Sequence, residues 1–196
     1  MILLQLLLPE RLSLGNRWLL PAIELLMIGV LAAAHPGEME RRSVLLRRVG
    51  LSLIAVASLG NAWAAGRLVF DIATGADVGS AADLLMAGGN VWLINVLTFA
   101  VWYWELDRGG PFERALGTQE HPDFLFPQMT TPDMAPKEWE PRFLDYLFVA
   151  FTNSTAFSPT DTLPLSRGAK VGMLLQSGIS LVTAALVVAK AVNALQ

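Results

Sequence analysis

The sequence predicts an all-α integral membrane bundle with about four transmembrane helices plus a short re-entrant helix and loop. Three observations lead there. Of 196 residues, 54% are hydrophobic and 16% charged, whereas a soluble domain carries about a quarter charged residues; mean hydropathy is +0.48. The apolar surplus is gathered into runs matching a hydrocarbon core roughly 30 Å thick. One half-length apolar stretch, residues 143–151, runs into a polar, proline-broken segment that lipid cannot solvate. The composition also excludes chemistry. With no Cys and only His35 and His121, disulfides, thiolate metal sites and a His-rich zinc cage are ruled out, and no cofactor is expected. A net charge of -3 without a basic, aromatic-interleaved cluster points away from nucleic acid. Enzymatic activity is not expected either, because Glu24, Arg67 and Asp161 do not cluster along the chain.

Residues 1–17 place a run of Ile and Leu before Pro9 that is too short to cross a bilayer, and they read as an interfacial segment. No basic residue precedes the run and no small-x-small cleavage pattern follows, so the segment is expected to stay in the mature protein. A three-helix membrane region follows over residues 18–104. The first span runs from Trp18 to about Ala34, with Pro21 in its first turn, where a missing N–H costs least. The second starts after Arg47 and Arg48 and closes near Phe70, about twenty residues or one bilayer. A third runs from about Ala81 to Trp104 and ends in Trp102, Tyr103 and Trp104, an aromatic cluster suited to headgroup level.

Residues 105–142 change character: Gly-Gly-Pro at 109–111, five further prolines, and eight acidic against four basic side chains. This is an aqueous loop, and its length suggests an ordered cap rather than a spacer. Phe124, Leu125 and Phe126 are expected to tuck onto the membrane region. In the last module, residues 143–196, a short apolar helix over 143–151 is about half a membrane long. An irregular polar stretch follows, then a last span from about Val171 to Leu195.

This C-terminal quarter resembles the pore region of tetrameric potassium-type channels, in which a short pore helix, a threonine-rich strand, an Asp and a Pro precede the inner helix. Phe151, Thr152, Thr155, Asp161 and Pro164 fall in that pattern. Where the family carries Val-Gly-Tyr-Gly, this chain has Phe157, Ser158, Pro159 and Thr160, and a proline cannot copy the glycine geometry that turns carbonyls inward. The layout of Gly-Gly-Pro turn, acidic loop, FLDYLFVAFT and S-R-x-x-K is also similar to a group of bacterial integral membrane proteins. The resemblance implies a multi-pass inner-membrane homo-oligomer, a tetramer by analogy. It would pass small monovalent cations by partial dehydration against oxygens of Thr152, Asn153, Ser154, Thr155, Ala156, Phe157, Ser158, Pro159, Thr160 and Asp161. A non-conducting scaffold or sensor that keeps the pore-loop fold is the alternative, with Phe157 and Pro159 closing the axis.

Each candidate also has a plainer reading. Thr152, Asn153, Ser154 and Thr155 can cap the short helix and satisfy loop backbone, and Asp161 can cap the turn into the last helix. Glu24 and Arg67 are ionisable residues inside spans, where a charge is costly unless paired or hydrated. Their depths agree, so they are expected to pair, with an ion or proton relay through Glu24 as the functional alternative. Asn61, Asn90, Asn95 and Gln176 read as interhelical glue. Arg41, Arg42, Arg47 and Arg48 lie between spans one and two, and no Lys or Arg lies between spans two and three. The positive-inside rule therefore puts the first loop in the cytoplasm, and by alternation the acidic loop too. The channel resemblance puts that loop outside, and sidedness stays open.

Overall fold

The computed structural model describes residues 1–33, 39–77, 79–137, 139–156 and 161–194. Eight helices and one minimal strand pair are found among them: α1 (Ile2–Leu6), α2 (Leu19–Ala33), α3 (Met39–Ala73), α4 (Ala81–Leu106), α5 (Pro111–Leu116), β1 (Phe124–Leu125), α6 (Pro127–Thr130), α7 (Phe143–Thr155), β2 (Leu163–Pro164) and α8 (Arg167–Ala194). The described chain is mostly helical, as expected, with one short antiparallel pair added, Phe124 opposite Pro164 and Leu125 opposite Leu163.

Among the described residues, three helical stretches are long and apolar enough to cross a membrane, Arg47–Ala73, Ala81–Leu116 and Arg167–Asn193. The first expected span forms α2, whose 15 residues reach about 22 Å, short of the hydrocarbon core. The connection expected before the second span is largely helical, because α3 begins at Met39 and runs 35 residues.

The chain divides into two compact units, Met1–Ile94 with Val182–Gln196, and Asn95–Leu181. In the first unit α3 buries Ala57, Asn61, Ala64, Leu68 and Asp71 on one helical stripe and exposes Leu59, Trp63 and Phe70 on another. The buried stripe is mostly small, and small residues let helix backbones approach closely. Gly60 marks the approach to α2, since a Cβ there would lie 2.5 Å from Leu20 Cδ1. Residues 1–17 fold over this pair as α1, a 3₁₀ turn at Glu10–Leu12 and a coil, with Gln5, Leu8 and Leu12 buried. At the start of α4, Ser80 and Asp83 form a capping box: the Asp83 carboxylate accepts from Ser80 N–H at 3.0 Å while Ser80 Oγ accepts from Asp83 N–H at 3.2 Å.

The core of the second unit is aromatic. Phe124 packs on Tyr103 with ring centroids 5.0 Å apart, Phe126 on Tyr146 at 5.4 Å, and Phe126 on Trp139 at 5.7 Å. Such tilted and edge-on pairs are each worth about 0.5–1.5 kcal/mol beyond the area they bury. The Phe-Leu-Phe-Pro step of the acidic loop therefore anchors that loop. Tyr103, one of the three aromatics at the end of α4, is fully buried within the protein.

Candidate functional site

The short helix α7 is longer than the apolar run that announces it. Asp145 Oδ2 accepts from the Arg142 N–H at 2.7 Å and closes the N-terminus. The helix then continues past Phe151 through Thr152, Asn153, Ser154 and Thr155, giving 13 residues or about 20 Å. The hydroxyl-rich run expected to stack as filter rings is the last helical turn. The Thr152 hydroxyl donates to Phe148 O at 2.9 Å and the Thr155 hydroxyl to Phe151 O at 2.9 Å. Both satisfy helix carbonyls from within the helix. Ala156 is the C-cap, its N–H bonded to Thr152 O at 2.8 Å.

Asn153 and Ser154 turn the other way, into a buried polar network centred on Gln176 of α8. The Gln176 Oε1 accepts from Tyr103 Oη at 2.5 Å and from Asn153 Nδ2 at 2.8 Å. Its Nε2 donates to Ala150 O and to Ser154 Oγ, both at 2.8 Å. Asn153 Nδ2 also reaches Met173 O at 3.1 Å, and Ser177 Oγ donates to Asn153 Oδ1 at 3.0 Å. One helical turn further along α8, Asn95 Nδ2 donates to Ser180 Oγ at 2.9 Å. The Gln176 amide makes four side-chain bonds, so the hub fixes the rotation of α7 against α8 and α4. Gln176 and Asn95, expected as interhelical glue, join helices in this way. Phe157, Ser158, Pro159 and Thr160 lie outside the described residues. Asp161 is exposed, whereas the adjacent Thr162 is buried.

A second hub ties the acidic loop to the same helix. Asp107, expected to stop the third span at the interface, has no exposed surface. Its Oδ1 accepts from the N–H groups of Asp123 at 2.7 Å and Phe124 at 3.2 Å, and its Oδ2 accepts from Tyr146 Oη at 2.6 Å. Burial, with the Asp107 carboxylate beside it, pushes the Tyr146 phenol above the ordinary phenol range, so it remains a neutral donor. The chain turns at Arg108, a left-handed residue at φ 49°, followed by Gly109 and Gly110 at φ 77° and 98°. The Arg108 N–H donates to Asp123 Oδ2 at 2.9 Å. Arg114 folds back, bonding Trp104 O at 2.6 Å and Asp107 O at 2.8 Å, with its guanidinium 5.3 Å from the Tyr146 ring centroid. The strand pair, continued by the Leu165 N–H to Asp123 O bond at 2.8 Å, carries this support to the segment that leaves Asp161 for α8. The Ser166 hydroxyl caps that helix at the Ala169 N–H, 3.1 Å away.

Glu24 and Arg67 do not pair. Arg67 Nε lies 3.1 Å from Asp71 Oδ1, one turn along its own helix, with its guanidinium 5.6 Å from the Phe70 ring. Glu24, 2% exposed, accepts from Gln5 Nε2 at 2.6 Å. Agreement in depth says nothing about which way two side chains point around their helix axes, and Asp71 is the nearer acid. Among the described residues no cluster of three His, Asp or Glu is placed to hold a metal ion. Comparison with protein-family models, curated proteins and solved structures finds no match to this chain.

Tyr103, Asp107 and Tyr146 are the residues that sequence reasoning missed. The one sequence signal was positional: Tyr103 and Asp107 flank the exit of the third apolar run just before the Gly-Gly-Pro turn, where folding back of the loop can bury them.

Proposed function

We propose that this protein is an oligomeric integral membrane protein whose C-terminal module passes small monovalent cations, with copies arranged around the α7–α8 connection. The observation that carries this reading is helix α7, at 13 residues too short to cross a bilayer, held against α8 by a buried amide and hydroxyl network and followed along the chain by a full-length apolar helix. A polar, proline-broken stretch such as residues 156–166 is tolerated at membrane depth only where protein or a water-filled path satisfies its backbone. Asn153 and Ser154 are assigned to holding the module together. The lining is assigned to Thr155, Ala156 and the segment from Phe157 to Asp161, with Asp161 concentrating cations at the mouth. A homotetramer in the bacterial inner membrane is the arrangement the channel resemblance favours.

The alternative, a non-conducting scaffold or sensor, has one observation in its favour: the hydroxyls of Thr152 and Thr155 and the amide of Asn153 are all engaged within the module. Flux separates the two. In liposomes holding the purified protein under potassium, sodium or chloride gradients, the channel reading expects cation flux that falls severalfold in Asp161→Asn and changes its ion preference in Thr155→Val. Silence in every gradient, from folded oligomer, would establish the scaffold reading instead.

A further inference from the structure

Glu24 poses a separate problem from the α7–α8 module. It is 2% exposed, and the side chain bonded to it is a neutral amide, Gln5 Nε2 at 2.6 Å. A buried carboxylate needs opposite charge within reach; the Met1 ammonium is near enough to act on it, while Arg67 is taken by Asp71. Gln5 is itself 6% exposed, and its other amide atom, Oε1, is buried with no hydrogen-bond partner. On the same cavity wall stands Arg17. Its Nη2 donates to Leu6 O at 3.0 Å and its Nη1 lies 3.9 Å from Glu10, while its buried Nε has no hydrogen-bond partner. Gln5, Asn16, Arg17 and Asn61 line a cavity of about 20 Å³, room for one water-sized occupant.

The orphaned atoms are complementary: Arg17 Nε–H is a donor, Gln5 Oε1 an acceptor, and both residues line the same small cavity. We infer that a single bound water accepts from Arg17 Nε–H and donates to Gln5 Oε1, adding Arg17 to the Met1 ammonium as a counter-charge of Glu24 through a Glu24–Gln5–water–Arg17 chain. Every donor in that chain points toward the carboxylate, so successive bonds polarise one another in the same sense. Asn61, 3% exposed on the same cavity, offers the water's second hydrogen an amide oxygen. The ligand is water rather than a metal cation, because the arginine lining the cavity would repel a cation. The chain pins the N-terminal segment to α2 and does not depend on whether the C-terminal module conducts.

A double-mutant cycle on the full-length protein in detergent tests the coupling through thermal unfolding midpoints of wild type, Arg17→Gln, Glu24→Gln and the double variant. Glu24→Gln is isosteric and keeps an acceptor for Gln5. In the wild-type background Arg17→Gln should lower the midpoint by about 3–6 °C, on a scale of about 2–4 °C per kcal/mol for a chain of this size; in the Glu24→Gln background the drop should shrink to about 1 °C. An equal drop in both backgrounds would overturn the proposal, leaving Arg17 to act only through Leu6 and Glu10. An experimental density map supplies the second readout. A water within hydrogen-bond distance of both Gln5 Oε1 and Arg17 Nε supports the chain, and a dry cavity or a direct Arg17–Gln5 bond sinks it.

Discussion

Removing the Gln176 amide would strand several buried groups at once. Tyr103 Oη loses the acceptor it reaches at 2.5 Å, Ser154 Oγ loses its amide donor, and Asn153 keeps only Met173 O and its Ser177 contact. Single interhelical hydrogen bonds in bilayers average only about 0.6 kcal/mol. A buried polar group left without a partner costs about 1–3 kcal/mol, so stranding dominates over the lost bonds. Gln176→Leu is therefore expected to destabilise the protein by about 2–4 kcal/mol, a fall of roughly 5 °C or more in the thermal midpoint measured in detergent. Thr152→Val is the contrasting case. Its hydroxyl bonds a carbonyl already engaged in the helix ladder, so the midpoint should move by no more than about 2 °C. If the two substitutions act equally, the network is not the organising feature of the module. Tyr103→Phe should fall between them, because it removes one bond yet leaves the hub its Asn153 donor.

At the scale of elements, the Tyr146–Asp107 bond joins α7 to the turn after α4, and the acidic loop hangs on that turn. Tyr146→Phe keeps the ring in the aromatic core and removes only the donor, so Asp107 retains the Asp123 and Phe124 N–H groups. The expected result is a folded protein whose acidic loop opens more often. Limited trypsinolysis should cleave after Lys137 and Arg142 several times faster than in wild type, while cleavage rates unchanged within error would mean the aromatic packing holds the loop alone. These elements were unequally legible in the sequence. The apolar stretches that make α3, α4 and α8 could be read directly, because hydropathy summed along one dimension is what marks a span. The extension of α7 through Asn153 and Thr155 was not, since Thr, Asn and Ser have middling helix propensity and their role follows from a partner more than twenty residues away. Asp107 was hidden for the same reason: its partners stand 16 to 39 positions along the chain. The Arg67–Asp71 pair, by contrast, is legible in the i,i+4 spacing, a more direct cue than agreement in depth.

For the whole molecule, sidedness is where two physical arguments meet. Arg41, Arg42, Arg47 and Arg48 precede the apolar part of α3, while the short connection from Thr74 to Ser80 carries no Lys or Arg, and such asymmetry sets orientation when counted near span ends. The stretch Arg47–Ala73 would then leave the cytoplasm and Ala81–Leu116 would return to it, putting the acidic loop inside and the module entering from the cytoplasmic face. The potassium-channel resemblance demands the opposite. Because the chain has no cysteine, single-cysteine variants read this out without background. Asp77 and Met134 are suitable sites, the first on the short connection and the second 89% exposed on the acidic loop. With a membrane-impermeant maleimide on intact cells, the arginine distribution predicts labelling of Asp77→Cys and protection of Met134→Cys until the cells are permeabilised. The reverse pattern would show that the arginines do not set the topology and would align the module with the channels it resembles. Labelling at both sites before permeabilisation would remove Ala81–Leu116 as a single crossing, and with it the re-entrant reading of α7.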